Sequence, residues 1–476
     1  MNEPVIAIYD IGKTNKKLLL YDRKYQIVHQ DQINLPETVD DDGYPCEDIE
    51  KTSQWVKKSF KAIKKNKKFA ICALNISAYG ASFVHLNERG QPATPLYNYL
   101  KPYPEGLAEQ LYDQYGGEEK FTRHTASPRL GMLNSGLQLY WLKHHKPEMY
   151  RTIWRSLHLP QYFAYLIHGK CFNEITSLGC HTALWDFSRD RSHDWVYAEK
   201  IDTTLPPVVS THSYEMISNN NSNTLCGVGI HDSSASLVPY LLAFEESFML
   251  LSSGTWNITL NPFNEEPLTN EELRKDCLQY INYRGVSVKA SRILMGREHD
   301  YQEARLAEHF NKSSDYHRSI IPDKELLERI ASSDHKERHF YPQTMQQTGP
   351  LPNFVGPPTD LDQFSSYKEA YHQLILDLVE MQAISMKLVT SQTPPKKVFI
   401  SGGFCANQLF MRLLAAHFPD IQFYTTELDN ASALGAALVM HRHWNRGESI
   451  DHLFQFQEIQ PMNIDALTAY SFAKMK

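Results

Sequence analysis

The chain has 476 residues, 42% of them hydrophobic and 22% charged, with a formal net charge of −7. That length exceeds one typical core and implies two domains, and the composition is that of an ordinary globular protein rather than a disordered one. The acidic balance offers nothing to a polyanion, and no run reaches the roughly 18 apolar residues of a membrane span, so neither a nucleic acid nor a membrane is an expected partner.

Seven cysteines, at 46, 72, 171, 180, 226, 277 and 405, form no C-x-x-C pair and no regular framework. With no leader-like N-terminus, they fit a reducing compartment, and a cytoplasmic protein is the expectation.

Along the chain, VIAIYD (5–10) and KLLLYD (17–22) are short apolar runs on either side of a polar turn, the pattern of a β-hairpin. QIVHQDQINL supplies a third strand. The turn contains Gly12-Lys13-Thr14, the ending of a P-loop. A P-loop is excluded: Ala7 stands where that motif needs glycine, and a strand follows where it needs a helix. What remains is a turn in which Gly12 frees backbone N–H groups, and Thr14 and Asn15 carry donors for phosphate oxygens. Asp10, at its lip, can hold a metal ion through water. A plain hairpin turn explains the same residues equally well.

The basic run KKSFKAIKKNKK (57–68) carries Val56, Phe60 and Ile63 at helical spacing, so it reads as the solvated face of an amphipathic helix. A buried strand is expected at Phe69–Ser77, helices from Asn134 to Ile167, and an exposed loop or the approach to a domain boundary at SNNNSN (218–223). In VGIHDSSASLVPYLLAF (228–244), Asp232 immediately precedes a helical run. It can serve as an N-cap; held ionised beside His231 at a helix start, it can also take a proton from an alcohol.

MLLSSGTWNITLN (249–261) repeats the grammar of the opening hairpin, a weak internal repeat about 240 residues on. The charged MGREHDYQEA (295–304) reads as a solvated helix start. After a Pro-rich loop (348–360), Leu374, Ile375, Leu378, Met381, Ser385 and Leu388 share one face of a long helix stopped by Pro394-Pro395. SGGFCAN (401–407) joins a strand to a helix through two glycines, which permits close backbone approach to a ligand. ELDNASALGAAL (427–438) gathers small residues at another helix start, which also suits simple helix packing. The alternation of strand and helix implies an α/β second half.

Taken in order, D-x-G-x-T-N, G-x-H-D, S-S-G-T-W, G-G near 402 and a small-residue helix near 430 resemble the FGGY carbohydrate kinases over roughly residues 5–440. The resemblance implies an α/β fold of two actin/hexokinase-like (ribonuclease H-like) domains with an ATP and sugar cleft between them. It implies domains at 1–240 and 241–445 with a tail at 446–476. Asp10, Gly12, Thr14 and Asn15 then match a first phosphate loop, and Ser253, Gly254 and Thr255 a second. Gly402, Gly403 and Asn407 match an adenosine segment, with Glu427 and Ala431 to Gly435 on its neighbour. Asp232 matches the catalytic base, with Mg²⁺ held by Asp10 and Asp232 through water.

LSSGTWNI and GIHDSSAS are most similar to the rhamnulose kinases. Tyr79 and Gly80 match their sugar-side segment, and His231 and Asp232 complete the substrate contacts. Ser77 and Ser82 stand at positions usually acidic there, and the segment around ILMGREHD is charged where relatives are apolar. The implied activity is ATP- and Mg²⁺-dependent phosphorylation of a ketose, L-rhamnulose first and L-fuculose or a xylulose- or ribulose-type pentulose behind it. A non-catalytic sugar- or nucleotide-sensing relative is the alternative of another class, and a homodimer is left open.

Overall fold

The computed structural model describes residues 2–219, 222–332, 338–345, 349–426, 428, 430–462 and 464. It divides into two compact units: Met1–Glu245 with Gln279–Ser287 and Asp429–Phe454, and Glu246–Leu278 with Val288–Leu428 and Gln455–Lys476.

In the first unit the opening hairpin forms as expected, Glu3–Ile11 against Lys16–Tyr21, and Ile27–Ile33 adds the third antiparallel strand. Phe69–Ala78 then lies parallel to Glu3–Ile11, and the sheet continues through Ser222–Gly227 to Tyr214–Asn219. The polar tract at 218–223 is therefore not a loop ahead of a boundary: its described residues belong to two paired strands, with Asn220 and Asn221 outside the described residues. Backbone pairing overrides composition there, because an edge hairpin buries its polar main chain without apolar side chains.

Glu3–Ile11 is central, so both faces are covered and Val5, Ile6, Ala7, Ile8 and Tyr9 are all fully buried. On one face the helix Ile49–Lys65, capped by Asp48, turns Val56 and Ile63 inward and its lysines to water, as its spacing predicts. Tyr9 anchors it by donating to the Val56 carbonyl at 3.1 Å.

The helix Ala431–Val439 packs on Glu3–Ile11, on Phe69–Ala78 and on the helix Asp232–Ala243. Its small residues are what allow this. Pro239 has no N–H, so the Ala235 carbonyl lacks its helical donor, and Gly435 lies against that carbonyl. A Cβ on Gly435 would sit 1.8 Å from the Ala235 oxygen. This packing makes residues 429–454 part of the first unit, where a contiguous division at 240 and 445 would place 429–445 in the second. The presumed tail also departs from expectation, because Phe456–Glu458 pairs with Gln422–Thr426 as an edge strand.

The second unit repeats the strand pattern. Phe248–Ser253, Asn257–Asn261 and Ser287–Ile293 form an antiparallel run. On the other side Lys397–Gly402 and Gln422–Thr426 follow in parallel, and antiparallel Phe456–Glu458 closes the edge. Strand order and polarity match those of the first unit from Ile27–Ile33 to Tyr214–Asn219. A further strand, Cys277–Ile281, extends this second sheet. The long helix Tyr367–Val389 is buried nearly all round rather than on one face, as the central helix of the unit, and it ends at Val389, ahead of Pro394.

The seven cysteines are free thiols, and among the described residues no helix is long and apolar enough to cross a membrane.

Candidate active site

In the first unit, the turn between the opening strands is closed by the Gly12 N–H donating to the Asn15 carbonyl at 3.0 Å, so this amide is engaged within the turn. Thr14 and Asn15 are exposed at its tip. Beneath it lies a network that the motifs do not reveal. Lys16 is buried, its ammonium 2.7 Å from the Glu47 carboxylate and 2.9 Å from the Lys13 carbonyl. Glu47 also accepts from the Tyr79 hydroxyl at 2.7 Å, and the Tyr79 N–H donates to Ile11 at 3.2 Å. One carboxylate thus ties the hairpin turn at 12–15 to the segment that holds Tyr79 and Gly80. The signal for Lys16 was present: in KKLLLYD it alternates with Leu18 and Leu20, which puts it on the inward face of the strand.

Asp10, next to last in the first strand, accepts a hydrogen bond from the Ser432 hydroxyl at 3.1 Å. Burial, and next the charge of Asp232, push its carboxyl up to about 6. Asp232 is the first residue of its helix; the N-cap is His231, so the capping role expected for Asp232 is not the one it plays. Its carboxylate instead accepts from the adjacent Ser233 N–H at 2.6 Å and lies 3.2 Å from His231 Nε2. Desolvation raises it to about 6 as well, although a third of the side chain remains open to solvent.

His231 is neutral, held down to about 3 by burial. Its Nε2 is 3.2 Å from the Cys180 sulfur, and Gly80 packs against both. Cys180 is a contact that sequence reasoning missed, lying far from any motif. Of the residues expected on this unit, Asp10, Tyr79, Gly80, His231 and Asp232 are linked by these contacts, while Thr14 and Asn15 stay at the turn.

In the second unit, a cavity of about 670 Å³ is bordered by Gly254, Thr255, Gly403, Phe404 and Asn407. The close packing beneath it depends on Gly402, whose φ is +93° and whose Cβ would overlap the Ser253 carbonyl. The Ser253 hydroxyl accepts from the Phe404 N–H at 3.1 Å and donates to the Ser401 carbonyl at 2.6 Å, so it holds the two turns together. Asn407 caps the helix Gln408–Ala416 through Phe410 N at 3.0 Å and donates to the Tyr371 hydroxyl at 2.9 Å. The side chains of both residues serve the wall of the cavity. Glu427 lies outside the described residues.

The charged segment at 295–304 is also corrected. It forms the helix Met295–His309, in which Glu298, His299 and Glu303 are buried, and Gly296, His299 and Asp300 border the cavity. Glu298 is buried because Gln302, Gln343 and Thr344 all donate to it. His299 lies 3.1 Å from the Tyr371 hydroxyl.

Among the described residues two other clusters carry metal-ligating side chains, Asp40–Asp41–Asp42 and His124–Asp186–His193. In the first, each carboxylate forms an ion pair with Lys101 or Lys146. In the second, His193 Nδ1 accepts from Trp195 N at 3.3 Å, which leaves the proton of the neutral ring on Nε2 as a donor.

Two mixed sheets of one strand order, each with a Gly-containing hairpin turn, define a duplicated two-domain α/β fold. The chain belongs to the FGGY carbohydrate kinases: residues 5–232 match the N-terminal domain of that family and residues 245–448 its C-terminal domain. It is therefore an ATP-dependent sugar kinase acting on a small-molecule sugar. It is 21% identical to a rhamnulokinase of Halalkalibacterium halodurans over 427 residues, 85% of each chain. A carbohydrate kinase from Novosphingobium aromaticivorans superposes with a TM-score of 0.79 at 22% identity, over 100% of this chain and 97% of that one. The ligand-bound xylulose kinase of Lactobacillus acidophilus does so with a TM-score of 0.79 at 15% identity, over 98% and 95%.

Proposed function

We propose that this kinase phosphorylates a ketose, L-rhamnulose, at a hydroxyl whose proton passes to Asp232. The observation that carries the reading is the pair of carboxylates, Asp10 and Asp232, both raised to about 6 on the unit that holds Tyr79 and Gly80. A carboxylate of that strength is ionised at neutral pH and is a better proton acceptor than an ordinary one. As the sugar oxygen forms its bond to the γ-phosphorus, the bond to the ADP oxygen breaks, and the hydroxyl proton moves to Asp232.

Two carboxylates that disfavour each other's charge are a hard-oxygen donor set suited to Mg²⁺, which Asp10 and Asp232 would hold through water. When bound, Mg²⁺ supplies neutralisation of the phosphate charge. The second unit's cavity is of a size that takes a nucleotide, with the Phe404 ring for a base and glycine backbone at Gly254 and Gly403 for phosphates. Ser77 and Ser82, in place of carboxylates, suit a deoxy-ketose with fewer hydroxyls to read, and the similarity to a rhamnulokinase supports the same sugar.

An ADP-release assay over L-rhamnulose, L-fuculose, xylulose and ribulose tests this. The highest kcat/KM is expected for L-rhamnulose. A higher value for a pentulose would reassign the sugar, and ATP binding with no ketose-stimulated turnover would favour a non-catalytic relative.

A further inference from the structure

Glu174 is a fully buried carboxylate with no lysine, arginine or histidine paired to it among the described residues. Burying such a charge is costly unless hydrogen bonds replace its water. Here they do: Thr176 N donates to Oε1 at 3.0 Å, Thr176 Oγ1 to Oε2 at 2.7 Å and Ser177 N to Oε2 at 3.1 Å, and the Thr211 hydroxyl donates to Oε1. Desolvation raises the carboxyl, and these donors pull it back. The short parallel pairing of Asn173–Glu174 with Val208–Val209 brings Thr211, 37 residues on, close to this position in space.

The Thr176 hydroxyl has one proton, and it is donated in the hydrogen bond to Glu174. Its oxygen is thereby turned to accept, and it receives the His231 N–H at 3.1 Å. His231 is the residue on which the Asp232 helix begins. The same short segment, Ile175–Leu178, leads to Cys180, which meets the His231 ring at 3.2 Å. Backbone and ring of His231 are thus both held from the segment that Glu174 caps.

We propose that Glu174 and Thr176 are positioning residues for the proton acceptor: the carboxylate orients the threonine hydroxyl, and the hydroxyl fixes the main chain from which Asp232 projects. The inference rests on Asp232 being that acceptor. A hydroxyl in this role controls how well the base is aimed and not how tightly nucleotide binds, so its loss falls on kcat.

The test compares Thr176→Val, Thr176→Ser and Glu174→Gln in steady-state ketose phosphorylation, with ATP affinity measured on the same proteins. Thr176→Val and Glu174→Gln are expected to lower kcat by about 10- to 100-fold with the Kd for ATP unchanged, and Thr176→Ser to stay within about twofold of the parent. Wild-type kcat in Thr176→Val, or equal losses in the valine and serine variants, would overturn the proposal. Should the valine variant not fold, Thr176→Ala against Thr176→Ser gives the same comparison, and equal kcat in that pair overturns it. Asp232→Asn, assayed alongside, separates the two readings: activity there removes the base assignment, whereas an inactive Asp232→Asn with a fully active Thr176→Val removes only this inference.

Discussion

At the scale of single residues, the chemistry depends on where Asp10 and Asp232 titrate. Both carboxyls are raised, so below pH 6 Asp232, the acceptor proposed above, is protonated and unable to take a proton from the sugar. The kcat/KM for the ketose is expected to climb as pH rises through about 6 and then level, a limb that belongs to the interacting pair. A profile that stays flat down to pH 5 would contradict it. The sign for stability is the opposite. A carboxyl raised in the folded state contributes stability that is fully present below its unfolded value of about 3.9 and is lost as pH rises through the folded value. Asp232→Asn should therefore stabilise the ligand-free protein at pH 7, by about 1 kcal/mol once solvent screening of a side chain one-third exposed is allowed for, read as a higher Tm. Much of this site is legible in the letters, because Asp10, Gly12, Asp232 and Gly402 sit in short motifs whose spacing is local. Glu47, Glu174 and Cys180 are not, since their meaning arises from contacts tens of residues away in the chain. Lys16 lies between the two cases: its strand register announced burial, but its partner is visible only in three dimensions.

At the scale of elements, the contact between the helices Asp232–Ala243 and Ala431–Val439 leaves no room for a side chain at Gly435. Pro239 and Gly435 act together across it: one removes a donor from the Ala235 carbonyl, and the other lets a backbone approach that oxygen. Gly435→Ala would drive a methyl into it, and a loss of about 1–3 kcal/mol in chemical denaturation is expected, with a fall in kcat because the displaced helix carries Asp232. Unchanged stability would contradict this account of the packing. The run after Asp232 and the small-residue start near 430 announce these helices, while the partner of a small-residue helix depends on shape and leaves no local trace. The segment at 295–304 was misread for a related reason. Its charges suggest solvent, yet Glu298 is buried because loop amides at 343 and 344 bond it, and no local pattern encodes a loop that arrives from so far along the chain.

At the scale of the whole molecule, the faint likeness between two hairpins 240 residues apart reflects a duplicated strand order and polarity in two units. The duplication was legible because Gly-containing turns mark both hairpins; the exact partition was not, because residues 429–454 return to the first unit by packing rather than by sequence adjacency. The central claim, that Asp232 accepts the proton of a ketose hydroxyl during transfer from ATP, is tested most directly by comparing the parent protein with Asp232→Asn in one ketose-dependent ADP-release experiment, with ATP and ketose binding measured on both. Asparagine keeps the size of the side chain and removes its basicity. The account predicts loss of phosphoryl transfer by at least about 100-fold with both ligands still bound. Transfer at the parent's rate in Asp232→Asn would contradict it.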